Sequence, residues 1–263
     1  MNARNIGVSV VMPAYNASKT IRAAIDSVLC QTHYELELIV VNDCSKDDTE
    51  KIVLEYTKKD PRVRLVTNPQ NSGVSITRNN GVKKARYELV ALLDSDDSWE
   101  ETKLEKQLDA MSKNPQAAIC FTATAYVSED GERSDYVLTV PERVTYNDVL
   151  KQNIVSCSSV MVKRSALLED PMPACRDIHE DLATWLAILK KTPYAVGVNE
   201  PLLIYRVSKN GKSGNKIEAA KMQWRTYRMS KVPFFKAAYC FLVYALRNIK
   251  KFRQVKAGMK IYE

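Results

Sequence analysis

Histidine is nearly absent from this 263-residue chain, with only His33 and His179, so a zinc site has few ligands to draw on. Cysteine is sparse and scattered: Cys30, Cys44, Cys120, Cys157, Cys175 and Cys240 include no C-x-x-C pair, and free thiols in a reducing cytoplasm are expected. No G-x-G-x-x-G follows the first apolar run, where VVMPAYNAS has no glycine at all, which argues against a dinucleotide fold of the usual kind. A G-K-S does occur at Gly211–Ser213, but a P-loop needs glycine five positions before Gly211, and Arg206 stands there. The start, MNARNIGVSVVMPAYN, lacks the long apolar run of a signal sequence. The apolar run Ala237 to Leu246 is far short of the roughly 20 residues that a spanning helix needs.

What is present begins with 45% hydrophobic residues, enough for one substantial core and at most a small second unit. The net charge of +8 is unevenly placed. From Arg206 onward, 15 Lys and Arg face only Glu218 and Glu263, a balance of +13, so the first 205 residues sum to −5. A mildly acidic body with a basic tail points to an anionic partner for the tail, membrane surface or nucleic acid.

Apolar runs of strand length alternate with helical patterns. VSVVMPAYN reads as a strand stopped by Pro13, and Ser18 is placed to cap a helix over about 19–31. Leu36 to Asp43 is a second strand, and Asp47 and Asp48 open a helix towards Lys59. Arg62 to Thr67 is a third strand, the spacing predicts a helix over 74–84, and ELVALLD is a fourth strand. Such βαβα order with continuous Val, Ile and Leu predicts an α/β fold, a mostly parallel sheet covered by helices on both faces. Ligands of such sheets bind beyond the carboxyl ends of the strands.

The polar residues collect at those ends: Pro13, Tyr15 and Asn16 after strand one, Asn42 and Asp43 after strand two, Asp94 through Asp97 after strand four. Any one of them serves as a helix cap or turn residue as readily as a ligand. Three strand ends together point to a site. In ELVALLDSDDSWEE the carboxylates of Asp94, Asp96 and Asp97 are separated only by Ser95, and like charges so close raise one another's pKa. A divalent cation is the simplest relief, and all-oxygen ligation by carboxylates and phosphates suits magnesium or manganese.

Five segments, VSVVMPAYN, LIVVNDCSKDDT, NSGVSITRNNGVKKA, LVALLDSDDSW and HEDLATWLAIL, occur in the order and spacing of family 2 glycosyltransferases, inverting enzymes of the GT-A fold. The resemblance spans roughly Val8 to Arg206. It implies that Asp43 hydrogen-bonds the donor's base while Pro13, Ala14 and Tyr15 line the nucleotide pocket. It further implies that Arg78 lies near the nucleotide and its phosphates. Asp94, Ser95 and Asp96 match the D-x-D motif, whose second carboxylate usually ligates Mn2+ or Mg2+ and whose first contacts the ribose or a metal-bound water. Asp181 aligns with the catalytic base of the E-D motif, with Glu180 as the alternative. An acidic pair there would also satisfy the dipole of a helix whose buried face is Leu182, Trp185, Leu186 and Leu189. Arg206, in the late loop Tyr205–Lys216, is expected at the diphosphate. The chain departs from the family where glycine is common, with Cys44 after Asp43 and His179 before Glu180, and its late loop is longer.

The implied organisation is a GT-A domain over residues 1–214 and a basic, amphipathic helical region over 215–263. In that region Phe234, Phe235, Tyr239, Phe241 and Tyr244 are candidates for insertion in a membrane interface, with Lys236, Arg247, Lys250, Lys251 and Arg253 near the headgroups. Packing of the aromatics on the catalytic domain is the alternative. The expected function is metal-dependent inverting transfer from a nucleotide sugar to a membrane-held or polyprenyl-diphosphate-linked glycan in surface polysaccharide synthesis. UDP-sugar is the leading donor because Asp43 suits the uracil imide. Two other readings stand beside it: transfer to a polyprenyl phosphate itself, and nucleic-acid binding by the tail. The D-S-D-D strand end and the E-D helix have no role in the last, so no nucleic-acid partner is expected. The expected location is the cytoplasm, peripheral at the inner face of the cell membrane.

Overall fold

Two of the apolar runs, Val8–Ala14 (β1) and Leu36–Asn42 (β2), are buried along their whole length. Strands without a polar face belong inside a sheet covered on both sides. The computed structural model, which describes residues 6–207 and 216–258, places them there. Most of the late loop and the side chains of Lys250, Lys251 and Arg253 lie outside the described residues.

The amino-terminal half follows the βα alternation: α1 (Ile21–Leu29), α2 (Thr49–Lys59), β3 (Val63–Thr67), α3 (Val74–Lys84) and β4 (Leu89–Leu92). β2 and β4 flank β1 and β3 flanks β2, all parallel. Then come β5 (Ser98–Trp99), α4 (Lys103–Lys113), β6 (Ile119–Val127), β7 (Arg133–Leu138), β8 (Arg143–Val144), α5 (Tyr146–Lys151), β9 (Met161–Lys163), α6 (Arg164–Glu169), α7 (Glu180–Leu189) and β10 (Ala195–Arg206). The sheet order is β3-β2-β1-β4-β9-β6-β10-β5, with β7 beside β6 and β8 beside β10. β6 and β10 are parallel to each other, while β9 runs antiparallel between β4 and β6. The result is the mostly parallel α/β sheet that the alternation predicts.

Side chains alternate across the sheet. Val8, Val10, Met12 and Ala14 pack with Ile21, Ile25 and Leu104, whereas Val11 faces the cluster around Trp185. On that second face α3 crosses β1 so closely that a Cβ on Gly81 would lie 2.3 Å from a Val11 methyl carbon. Only glycine allows that approach, and it draws the helix carrying Arg78 down onto the sheet.

Two local expectations are corrected. Pro13 does not stop the strand; it lies within β1, opposite Val41. β4 pairs with β1 only as far as Val11, so the N–H that proline lacks leaves no ladder bond unmade. Ser18 does not cap α1, which begins at Ile21; its N–H is drawn instead to Asp47 Oδ2 at 3.0 Å.

The carboxy-terminal helices, α8 (Lys216–Met229) and α9 (Phe234–Gly258), lie on the Trp185 face, where Tyr227, Val232, Ala237 and Cys240 join the core. Their aromatics divide. Phe241 and Tyr244 are half-buried and stacked on each other, whereas Phe234, Phe235 and Tyr239 are exposed together with Leu242 and Leu246. No helix among the described residues is long and apolar enough to cross a membrane.

Candidate active site

The ends of β1 and β2 are sewn together by their loops. Asn16 and Cys44 both adopt left-handed backbone, φ 50° and 59°. That conformation is costly for cysteine, and it is the one glycine adopts freely, so Cys44 keeps the kind of turn for which the family often uses glycine. The turns are crossed by Asn16 N–H to Ser45 Oγ (3.0 Å), Lys46 N–H to Asn16 Oδ1 (2.8 Å) and Ala17 N–H to Thr49 Oγ1 (2.8 Å).

Asp43 is buried just beyond β2. Its Oδ1 accepts from Asn68 Nδ2 and from Ser72 N–H, both at 2.8 Å, and its Oδ2 accepts from Gly73 N–H at 2.8 Å. Burial alone would raise the pKa of this carboxyl; the Asn68, Ser72 and Gly73 hydrogen bonds overcome it and hold the group below the usual range. Gly73, at φ 84°, is the turn residue that aims its N–H there. Beside Asp43 lie buried Pro13 and Ala14, with Tyr15 half exposed at the rim.

Arg78 joins the two acidic motifs. Its side chain is buried, with Nη2 2.6 Å from Asp94 Oδ1 and Nη1 3.4 Å from Glu180 Oε1. Asp94 and Glu180 raise the guanidinium's pKa against the opposing effect of burial. α3 is anchored one residue later, where Asn79 Nδ2 donates to the Met172 carbonyl (2.8 Å) and Met172 N–H donates back to Asn79 Oδ1 (3.0 Å). Thus the end of β4 and the start of α7 meet on one cation.

The turn after β4 is electrostatically unfinished. Asp96 is exposed as a residue, yet desolvation of its carboxyl, followed by the charge of Asp94, pushes its pKa up. Asp97 is buried; burial and then Asp96 and Asp94 push its carboxyl well above the usual range. Its Oδ1 accepts the Arg206 N–H at 2.9 Å, while Oδ2 finds no donor among the described residues. The Arg206 guanidinium reaches the carbonyls of Asp96 (3.3 Å), Ser128 (3.2 Å) and Glu129 (3.0 Å), which ties the end of β10 to the turn. Ser95 is half-buried between the two acids of the motif. Behind the turn, Asp94 N–H donates to Ser158 Oγ (3.1 Å) and Trp99 Nε1–H to the Ser158 carbonyl (2.7 Å). Lys103 Nζ lies 3.8 Å from the centre of the Trp99 ring, and burial pushes that ammonium down to about 7.

At the start of α7, Asp181 Oδ2 accepts from Asn153 Nδ2 (3.2 Å) and Oδ1 from Leu182 N–H (2.7 Å). Burial and then the adjacent Glu180 raise its carboxyl above the usual range, against the pull of His179. His179 itself packs away from this pair: its N–H donates to Thr226 Oγ1 (2.9 Å) and its Nε2 lies 3.1 Å from the Ala219 carbonyl, both on α8. The helix buries Leu182, Trp185, Leu186 and Leu189.

The structure therefore gathers Asp94, Arg78 and Glu180 directly, and Arg206 against Asp96 and Asp97. Asn68, Asn153 and Ser158 are partners that sequence reasoning missed. Asn68 had a signal, being the polar residue at the end of β3, the one strand end left unread. Among the described residues no three His, Cys, Asp or Glu side chains form a metal cage. Magnesium and manganese need none, since they take one or two carboxylates and complete their shell with water and phosphates. The exposed Asp96, with Asp94 two residues earlier, fits such a cation, and the buried Asp97 oxygen left without a donor among the described residues shows a turn that the chain alone does not satisfy.

This is the architecture of a glycosyltransferase. The sequence profile of Glycosyl transferase family 2 matches residues 9–168, and the chain belongs to that family. Among its relatives, a protein of Bacillus subtilis (strain 168) that carries the name of a teichuronic acid biosynthesis glycosyltransferase, TuaG, is 42% identical over 93% of this chain and 96% of its own length. The UDP-Glc:alpha-D-GlcNAc-diphosphoundecaprenol beta-1,3-glucosyltransferase WfgD of Escherichia coli is 37% identical over 82% and 83%. The fold is shared with the mannosyltransferase PcManGT from Pyrobaculum calidifontis, solved with GDP-Man and Mn2+. The TM-score is 0.72 at 18% identity, over 97% of this chain and 75% of that one.

Proposed function

We propose that the protein transfers a sugar, with inversion, from a UDP-sugar to a hydroxyl of a polyprenyl-diphosphate-linked glycan during bacterial surface polysaccharide synthesis, with Mn2+ or Mg2+. The observation that carries this reading is the Arg78 bridge, 2.6 Å to Asp94 and 3.4 Å to Glu180, which unites the D-x-D turn with the E-D helix. The diphosphoundecaprenol acceptor in the name of the relative WfgD supports the acceptor class, and the teichuronic acid biosynthesis in that of TuaG supports the surface-polysaccharide setting.

In this mechanism the nucleotide lies over β1 and β2, against Pro13, Ala14 and Tyr15. Asp43 Oδ1 already holds two donors and Oδ2 only one, so Oδ2 keeps a lone pair for the N–H of the base. Asp96, with Asp94, would hold the cation, which supplies charge neutralisation for the departing diphosphate. Arg206 stands at the same turn and adds positive charge. Asp181 takes the proton of the acceptor hydroxyl as the oxygen bonds to the anomeric carbon, and the bond to the diphosphate breaks on the opposite face. The raised pKa makes Asp181 a stronger base than an ordinary carboxylate. Glu180, held by Arg78, orients the pair. The test is a panel of nucleotide sugars screened for release of nucleoside diphosphate, with and without a glycosyl-diphosphate-lipid acceptor. UDP-sugar consumption is expected to need the acceptor, to stop with chelator and to return with manganese. Full turnover in excess chelator overturns the metal assignment.

The exposed apolar face of α9, Phe235, Tyr239, Leu242 and Leu246, supports peripheral attachment to the membrane, with the +13 balance from Arg206 onward drawing anionic lipid. Flotation with anionic liposomes should fall but persist as salt rises, because apolar insertion is not screened. A chain that ignores such liposomes at low salt would refute attachment.

A further inference from the structure

α8 has two faces with separate tasks. One, carrying Ala219, Gln223, Thr226 and Tyr227, is turned to the catalytic domain: Ala219 and Thr226 bond His179, the residue before Glu180 and Asp181, and Tyr227 enters the core. The other is Ile217, Ala220, Lys221, Trp224 and Arg225, an i, i+3, i+4, i+7, i+8 stripe. With Phe241 of α9 as its far wall, this stripe lines an open groove of about 670 Å3. At 1.5 Å per residue the stripe runs about 12 Å.

The groove's floor is apolar, and its two cations belong to α8. Lys221 is 2.7 Å from Glu218, and Arg225 is 3.9 Å from Asp177, two residues before His179. Both pairs are exposed, so they hold their cations weakly, and a phosphate can compete for them. The apolar surface continues outward without a break. Trp224 meets Phe234 at 5.9 Å and Phe241 at 5.7 Å, and Phe234 meets Phe235, which is exposed on α9, at 5.7 Å.

The geometry points to this groove as the seat of the acceptor's lipid stem: the first isoprenoid units lie along Ile217, Ala220, Trp224 and Phe241, with the diphosphate at Lys221 and Arg225. This rests on the lipid-linked acceptor proposed above. An isoprenoid suits the floor better than a peptide, whose backbone N–H and C=O groups would be buried there without partners. The path also has the right ends. It starts at the aromatic face offered to the membrane and finishes at Arg225, paired with Asp177 in the segment that leads into α7, so a glycan on the diphosphate is brought to the chain just before Asp181.

The experiment compares two water-soluble acceptors, one glycosyl diphosphate esterified with either a methyl group or a farnesyl-length isoprenoid, without any membrane. The wild-type chain should prefer the isoprenoid ester by about tenfold or more in kcat/KM, mostly through KM. Ile217→Asp, at a position 70% exposed and therefore tolerant of change, should bring the ratio close to one, and Ala220→Trp, which fills the groove, should do the same. Thermal melts and UDP binding check that each variant is folded. A preference that survives both substitutions, or no preference in the wild type, overturns the groove assignment while leaving the acceptor class standing. UDP-sugar turnover with transfer to neither ester overturns the acceptor reading itself, and the groove assignment with it.

Discussion

Asp43 and the Asp94–Asp97 turn are both acidic ends of parallel strands in one cleft, and their electrostatics are opposite. Asp43 has three donors from its own chain and a lowered pKa. Asp96 is raised by desolvation and then by Asp94, Asp97 by burial and then by Asp96 and Asp94, and one buried Asp97 oxygen has no donor among the described residues. The first is complete as folded and offers one further lone pair. The second is complete only with positive charge from outside. On the proposed mechanism one carboxylate serves recognition and the others serve charge neutralisation, and it is hydrogen bonding, more than residue type, that separates them.

The comparison breaks most visibly at Asp96. Asp96→Asn should lose several kcal/mol of transition-state stabilisation, about a thousandfold in turnover, yet melt at or above the wild-type temperature. Steady-state assay and calorimetry on one preparation check both halves. Asp181→Asn should lose on the order of a hundredfold or more in turnover with near-normal donor affinity. If Glu180→Gln proved the inactive variant and Asp181→Asn stayed active, the base would be reassigned. Because Asp181 is raised, its charged form costs stability once the pH climbs from the ordinary carboxylate value of about 4 through its folded value. The acid limb of kcat/KM should accordingly sit above pH 4.

Asp43→Asn sharpens the contrast from the other side. The amide must turn its Nδ2 towards either the Gly73 N–H or the donors at Oδ1, and an unmade buried bond costs about 1–3 kcal/mol. Denaturant unfolding should show that loss at pH 7. The sign of the pH effect is reversed here: a lowered pKa adds stability that is present above about pH 4 and lost as the pH falls through the folded value. The gap between wild type and Asp43→Asn should thus narrow in acid, and a constant gap would assign the loss to packing.

Much of the amino-terminal half was legible because neighbours in sequence are neighbours in the sheet. The helix expected over 74–84 is α3, Val74–Lys84, and the buried face expected for the E-D helix is the one α7 buries. The second half was harder to read for a physical reason. β6 is buried throughout but sits between β9, a three-residue strand, and β10, some seventy residues on, and no local period reports such a pairing. Candidate site residues were readable as types at strand ends. Their partners were not: the bonds of Asn153 to Asp181 and of Ser158 to Asp94 span 28 and 64 positions. Arg78 was expected beside the donor's phosphates, and what the chain alone did not reveal is that it is buried between two acids.

That burial has a consequence in time. Glu180 follows Arg78 by 102 positions, so a ribosome adding 5–20 residues per second delivers it roughly 5–20 s later. During that interval the first four strands can pair, but the guanidinium that α3 lays on the sheet has only one of its two acids. A buried charge short of its partner is strongly destabilising, by about 3–5 kcal/mol. The cleft of the nascent chain is therefore held open to rearrangement until α7 emerges, and the two substrate sites of the proposed mechanism mature as one event.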